Sequence, residues 1–168
     1  MRVVLATDGS AQARVAEELV WRLDWPVGTT IRVVAVQPPG FDVYGLPWTA
    51  ASPEVIQYAD DSLHQSIAGQ LESVVARIRR PGLEVESLFL TGRPASRIVE
   101  EARAWAADLV VVGHRGRGTI GTMLLGSVSA EVVDHAPCPV LVAREGIVRS
   151  ILLATDGSRS ARHASATA

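Results

Sequence analysis

Residues 108–129 read D-L-V-V-V-G-H-R-G-R-G-T-I-G-T-M-L-L-G-S-V-S. The run Leu109–Val112 is short, continuously apolar and β-branched, and Gly113 bounds it. That pattern predicts a strand buried on both faces, the kind found in parallel sheets. A glycine-rich loop follows, and Gly126-Ser127 then opens a segment with helical periodicity. Strand, glycine loop and helix start together bring backbone N–H groups toward an anion. The stretch is therefore read as a phosphate cradle.

Working outward, strand-like and helix-like segments alternate along the chain. Arg2–Ala6 is strand 1, and Thr7-Asp8-Gly9-Ser10 has turn chemistry with Ser10 as N-cap. Val15, Ala16, Leu19, Val20 and Leu23 mark helix 1, which Pro26 and Gly28 end. Thr30–Val36 is strand 2. Gln37–Ser52 is a proline-containing loop carrying Phe41, Tyr44 and Trp48, either a surface flap or a ligand lid. Ser52-Pro53-Glu54 starts helix 2, whose apolar positions run Ile56, Ala59, Leu63, Ile67, Leu71, Val74, Val75 and Ile78. His64, beside that face, is read as a boundary residue.

Pro81-Gly82 stops helix 2, and Leu83–Leu90 is strand 3. Pro94 starts helix 3, with Ile98, Val99, Ala102 and either Trp105 or Ala106 facing inward. After strand 4, Leu109–Val112, helix 4 is marked by Val128, Val132, Val133 and Ala136. Pro137-Cys138-Pro139 breaks it before strand 5, Val140–Val142. Alternation of this kind predicts an α/β fold with a mostly parallel sheet and right-handed crossovers.

Composition narrows the function. The net charge of −2 gives no basic field for nucleic acid or a membrane surface. All 16 basic residues are arginine, so a P-loop lysine and a Schiff-base lysine are both excluded. The single cysteine, Cys138, makes neither an internal disulfide nor a cysteine metal site, and reads as a small buried hydrophobe. Met1 leads directly into an apolar run without a secretory leader pattern, and no apolar run approaches the roughly 18 residues of a membrane span. A cytoplasmic setting is expected.

An internal repeat also stands out. Leu5-Ala6-Thr7-Asp8-Gly9-Ser10 recurs as Leu153-Ala154-Thr155-Asp156-Gly157-Ser158, and Arg14 matches Arg162 at the same offset. Residues 1–144 are expected to form one domain. Residues 145–168 are read as a linker plus the truncated start of a second copy, a strand and part of a helix.

The loop contains Gly116, Gly118 and Gly121 in a literal G-x-G-x-x-G, but this follows the fourth strand rather than the first. A dinucleotide fold wants it after strand 1, with an acidic residue about 20 positions on. The wider frame Gly113-x2-Gly116-x9-Gly126-Ser127 is more informative. With Thr7-Asp8-Gly9-Ser10 after strand 1, Gly92-Arg93-Pro94-Ala95 before helix 3, Val111–Gly116 after strand 4 and Pro137–Val140 before strand 5, it resembles the ATP-binding branch of the universal stress protein family over nearly all of residues 1–144. The repeat looks like the tandem members of that family. Ala6 departs from it, standing where members often carry proline.

The resemblance implies an open five-stranded parallel sheet of order 3-2-1-4-5 with helices on both faces, an adenine-nucleotide-binding Rossmann-like fold. It implies ATP as ligand, with Mg²⁺ left open, and no resident metal site. The site expected from it comprises Ala6, Thr7, Asp8, Val36, Val112, Gly113, His114, Arg115, Gly116, Gly126, Ser127, Val128 and Ser129. Asp8 would contact the ribose end and Val36 would offer its backbone to adenine. Gly113, Gly116, Gly126, Ser127 and Ser129 would take the phosphates. The residues themselves leave alternatives: Asp8 as an Asx-turn residue, His114 as a solvated loop histidine, Arg115 and Arg117 as an exposed rim. His135 reads as a charge at a helix terminus.

The expected function is an ATP-binding regulatory stress-response protein in which nucleotide switches conformation or oligomeric state. The family also implies a homodimer through strand 5, at Val140, Leu141 and Val142, since an uncovered edge invites pairing. The alternative is a slow ATPase or other nucleotide-cleaving enzyme. No catalytic residue is assigned, because the cradle has no obvious carboxylate for Mg²⁺ besides Asp8 and no assured base.

Overall fold

A computed structural model of the chain describes residues 1–38, 53–114 and 125–144, the side chains of 53–60 excepted. Its elements run β1 (Arg2–Ala6), α1 (Ala11–Arg22), β2 (Thr29–Gln37), α2 (Pro53–Ile78), β3 (Leu83–Thr91), α3 (Pro94–Ala104), β4 (Leu109–Gly113), α4 (Ser127–His135) and β5 (Val140–Ala143). The five strands form one sheet of order β3-β2-β1-β4-β5, and every pairing is parallel. Class and strand order are those expected. The aromatic loop with Phe41, Tyr44 and Trp48, the Ser52 cap, the middle of the glycine loop and the repeat after residue 144 lie outside the described residues.

Parallel strands need crossovers, and here the crossover helices cover both faces. On one face α1 and α2 pack over Val3, Leu5, Ile31, Val33, Ala35 and Val111. On the other, α3 and α4 pack over Val4, Val34, Val110 and Val112. Successive β-branched residues thus feed opposite cores, which is why the strand runs are continuously apolar. Each fully buried valine or leucine contributes about 1.5–3 kcal/mol before entropy is counted.

Helix faces differ in places from the periodicity reading. The fully buried stripe of α1 is Ala13, Ala16, Glu17 and Val20, while Val15 and Leu19 only flank it. Leu23 lies past the helix as its C-cap. Trp105, and not Ala106, packs inward after α3, because Ala106 takes a left-handed φ of 50° and points away from the core as the chain turns. Val133 of α4 is 44% exposed, since Val132 already fills the core-facing position. His64 stays exposed and meets Phe89 of β3 edge-to-face, with ring centroids 5.0 Å apart.

Candidate functional site

The carboxyl ends of β1 and β4 lie side by side, with Leu5 in register with Val111. From β1 the chain leaves toward α1 on one face, and from β4 it leaves toward α4 on the other. This is a topological switch point, where loops diverge and leave a crevice above the strand ends. Two expected groups of site residues therefore come together: Ala6 at the end of β1 with Thr7 and Asp8 just after it, and Val112 and Gly113 at the end of β4 with His114 just after it.

The β1 loop is tied from several sides. Thr7 N–H donates to Val34 O at 2.9 Å, so the backbone after β1 keeps sheet pairing with β2. Ser10 caps α1: its Oγ accepts from Ala13 N–H at 3.1 Å. Asp8 is exposed, and its Oδ1 accepts from Ser10 N–H at 2.9 Å, which is an Asx turn. That turn sets the orientation of the carboxylate just past the end of β1.

The β4 side is built by a short chain of backbone bonds. His114 N–H donates to Ala143 O at 2.9 Å, extending the pairing with β5, and His114 O accepts from Gly126 N–H at 2.7 Å. The second bond brings the start of α4 to the end of β4. Gly126 is buried and is the N-cap of α4, with no side chain capping the helix. The first helical bond runs from Ala130 N–H to Gly126 O at 2.9 Å, so the N–H groups of Ser127, Val128 and Ser129 precede it. Unsatisfied first-turn donors and the positive end of the helix dipole favour an anion there. Ser127 is exposed at this point, and Val128 is half-buried against the α3/α4 core.

Two of these residues have structural roles besides the ones expected of them. Ser129 is buried, and its hydroxyl donates to Gly113 O at 2.6 Å. It fastens α4 to β4 and does not present that hydroxyl proton to the crevice. Gly113 is glycine for a packing reason: a Cβ there would lie 2.7 Å from the Gln12 carbonyl oxygen, in the first turn of α1. Val36 sits one residue before the end of β2, in register with Leu90, and packs against the α3/α4 core. Its backbone lies near the carboxyl end of β2, and Ala6 and the rest of β1 lie between it and β4. Arg115 and Gly116 lie outside the described residues.

Glu17 and Gln37 were not singled out by sequence. Glu17 is 2% exposed and accepts the Thr7 hydroxyl proton at 2.9 Å through Oε1. The signal was present, because Ala13, Ala16, Glu17 and Val20 follow the i, i+3, i+4, i+7 spacing of a core stripe. Gln37 ends β2, and its Nε2 is buried without a hydrogen bond, as is Nδ1 of His114. Among the described residues, no group of three or more His, Cys, Asp or Glu side chains could hold a metal ion. No helix among them is long and apolar enough to cross a membrane.

Comparison with known proteins agrees with this architecture. The model of the universal stress protein family matches residues 1–144. A universal stress protein of Thermus aquaticus is 33% identical over 143 residues, covering 84% of this chain and 97% of that protein. A universal stress protein solved in complex with cAMP is 25% identical, with a TM-score of 0.60, covering 87% of this chain and 98% of that one. A family member from Arabidopsis thaliana, solved with AMP bound, is 27% identical with a TM-score of 0.56, covering 93% of this chain and 97% of its own. Motifs, sheet order and these likenesses converge: the chain belongs to the universal stress protein family.

Proposed function

We propose that this protein is a cytoplasmic regulator that binds ATP across the carboxyl ends of β1 and β4 and responds by shifting its conformation or oligomeric state. The observation that carries the reading is the start of α4. It is held to the end of β4 through His114 and lacks a side-chain cap, and β4 pairs with β1, which leads into the Asp8 loop. An anionic group fits such a terminus, and the nucleoside end of the ligand lies toward β1 and β2. Solved relatives containing AMP and cAMP support an adenine nucleotide as the ligand class.

On this reading the N–H groups of Ser127 and Val128, with Gly116 of the loop, take the phosphates. Asp8 takes the ribose, and the Val36 backbone takes the base. Gly113 and Ser129 act indirectly, by allowing β4, α1 and α4 to approach and lock. The bound nucleotide supplies negative charge and a rigid bridge between two loops, and that is the switch. Binding to one conformation in preference to another shifts the population toward it. The edge strand β5, through Val140, Leu141 and Val142, is the surface on which a second copy would pair.

Calorimetric titration with ATP, AMP and cAMP, each with and without Mg²⁺, tests the reading. ATP is expected to bind, and Asp8→Asn to weaken it about tenfold, or about 1.4 kcal/mol. No heat of binding for any of the three at roughly millimolar concentration, about 4 kcal/mol of affinity, would reject the proposal.

A further inference from the structure

Glu17 is a charged residue in a core stripe of α1, 2% exposed, between Ala13, Ala16 and Val20. Burying a carboxylate is costly, and a well-packed apolar residue in its place is often neutral or stabilising. Stability alone therefore gives no reason for it. Its contacts do. Oε1 accepts from Thr7 Oγ1 at 2.9 Å, and Thr7 Oγ1 accepts in turn from Gly9 N–H at 3.2 Å. Oε2 lies 3.1 Å from Nη2 of Arg77 on α2, an ion pair by distance but without hydrogen-bond geometry. Arg77, Glu17, Thr7 and Gly9 thus form a continuous polar chain from α2 through α1 into the loop.

Asp8 stands between the two loop residues that this chain holds. Glu17 itself is closed off from solvent, and the cleft of about 460 Å³ that borders it is lined by Arg14, Glu18, Trp21, Arg77 and Ile78 as well. On the α1 side, the bond to Glu17 is what orients the Thr7 hydroxyl. Without it, that hydroxyl is free to rotate away from Gly9. We infer that Glu17 is a positioning residue: through Thr7 it fixes the Gly9 N–H and so sets how Asp8 is presented to the crevice. The consequence for ligand affinity rests on the nucleotide reading above; the consequence for the loop does not.

The test uses the full chain and the variants E17Q and E17L, with Gly9 and Ser10 amide exchange measured without ligand and ATP affinity measured by calorimetry. E17Q keeps an acceptor for Thr7, and both readouts are expected within about threefold of the parent. In E17L the two amides exchange at least about tenfold faster and ATP Kd rises about tenfold, while the thermal midpoint stays equal or rises. A T7V/E17L double variant is no worse than T7V alone, since both act through one hydroxyl. Parental exchange at Gly9 in E17L overturns the inference. So does a loss matched by a fall in midpoint and not rescued by E17Q, which would make Glu17 merely structural. If E17L does not fold, E17M replaces it, and failure of both also overturns the inference. If the parent itself binds no ATP, the nucleotide reading fails, and Gly9 exchange alone decides the positioning role.

Discussion

Gly113 shows why one residue can satisfy two demands that sequence cannot separate. Its place in the glycine frame suggested close approach to a ligand, yet the atoms nearest a hypothetical Cβ are the backbone of Gln12, at 2.7 and 2.9 Å. Backbone cannot swing aside as a long side chain can. Gly113→Ala is therefore expected to cost about 1–3 kcal/mol of stability without any ligand present. Urea unfolding measures this, and an unchanged midpoint would place the first turn of α1 elsewhere. Cys138 is the other residue whose chemistry follows from its surroundings. Burial raises its thiol pKa, and the Asp108 charge raises it further. The reactive thiolate is therefore scarcer than in a free thiol at the same pH. Alkylation near pH 8 is expected to be slower than for a free thiol, and Asp108→Asn should speed it. Alkylation as fast as a free thiol would contradict this environment.

At the scale of elements, α1 and α3 show how helix ends are set. Ser10 is the side-chain cap of α1, so Ser10→Ala is expected to cost about 1 kcal/mol, readable as a lower thermal midpoint. Just past α3, Ala106 has φ 50°, a conformation that costs an L-residue about 1–2 kcal/mol. Glycine there forfeits about 0.5–1 kcal/mol of chain entropy, so Ala106→Gly should stabilise by roughly 0.5–1 kcal/mol. A lower midpoint would contradict the left-handed turn. Most elements were legible because strand runs such as Leu109–Val112 and helix starts such as Ser10 and Pro94 are written locally. Burial on the helices was less so. Val133 fits a helical stripe as well as Val132 does, and only packing against α3 and the sheet decides between them. Glu17 was hidden by its charge, although its spacing was right. Ser129 looked like a ligand donor because its bond to Gly113 O joins residues 16 positions apart, which no local pattern reports.

For the whole molecule, strand order does what no single motif does. Order β3-β2-β1-β4-β5 puts two loops that are about a hundred residues apart in sequence on the same crevice, as expected at a switch point. The sequence carried both loops, and the resemblance supplied their adjacency. In the proposed function a nucleotide bridges them. Gly126→Asp tests it with unusual selectivity. Gly126 has an extended backbone, φ −71° and ψ 158°, that aspartate adopts easily, and aspartate is a favoured N-cap. In the folded variant the carboxylate should occupy the α4 N–H groups in place of a phosphate. The decisive measurement is an amide-resolved NMR titration of the parent and Gly126→Asp with ATP. ATP is expected to shift the amides of Thr7–Ser10 and of Gly126–Ser129 together in the parent, and neither group in the variant. Shifts confined to one loop, or undiminished binding in a folded Gly126→Asp, would contradict it.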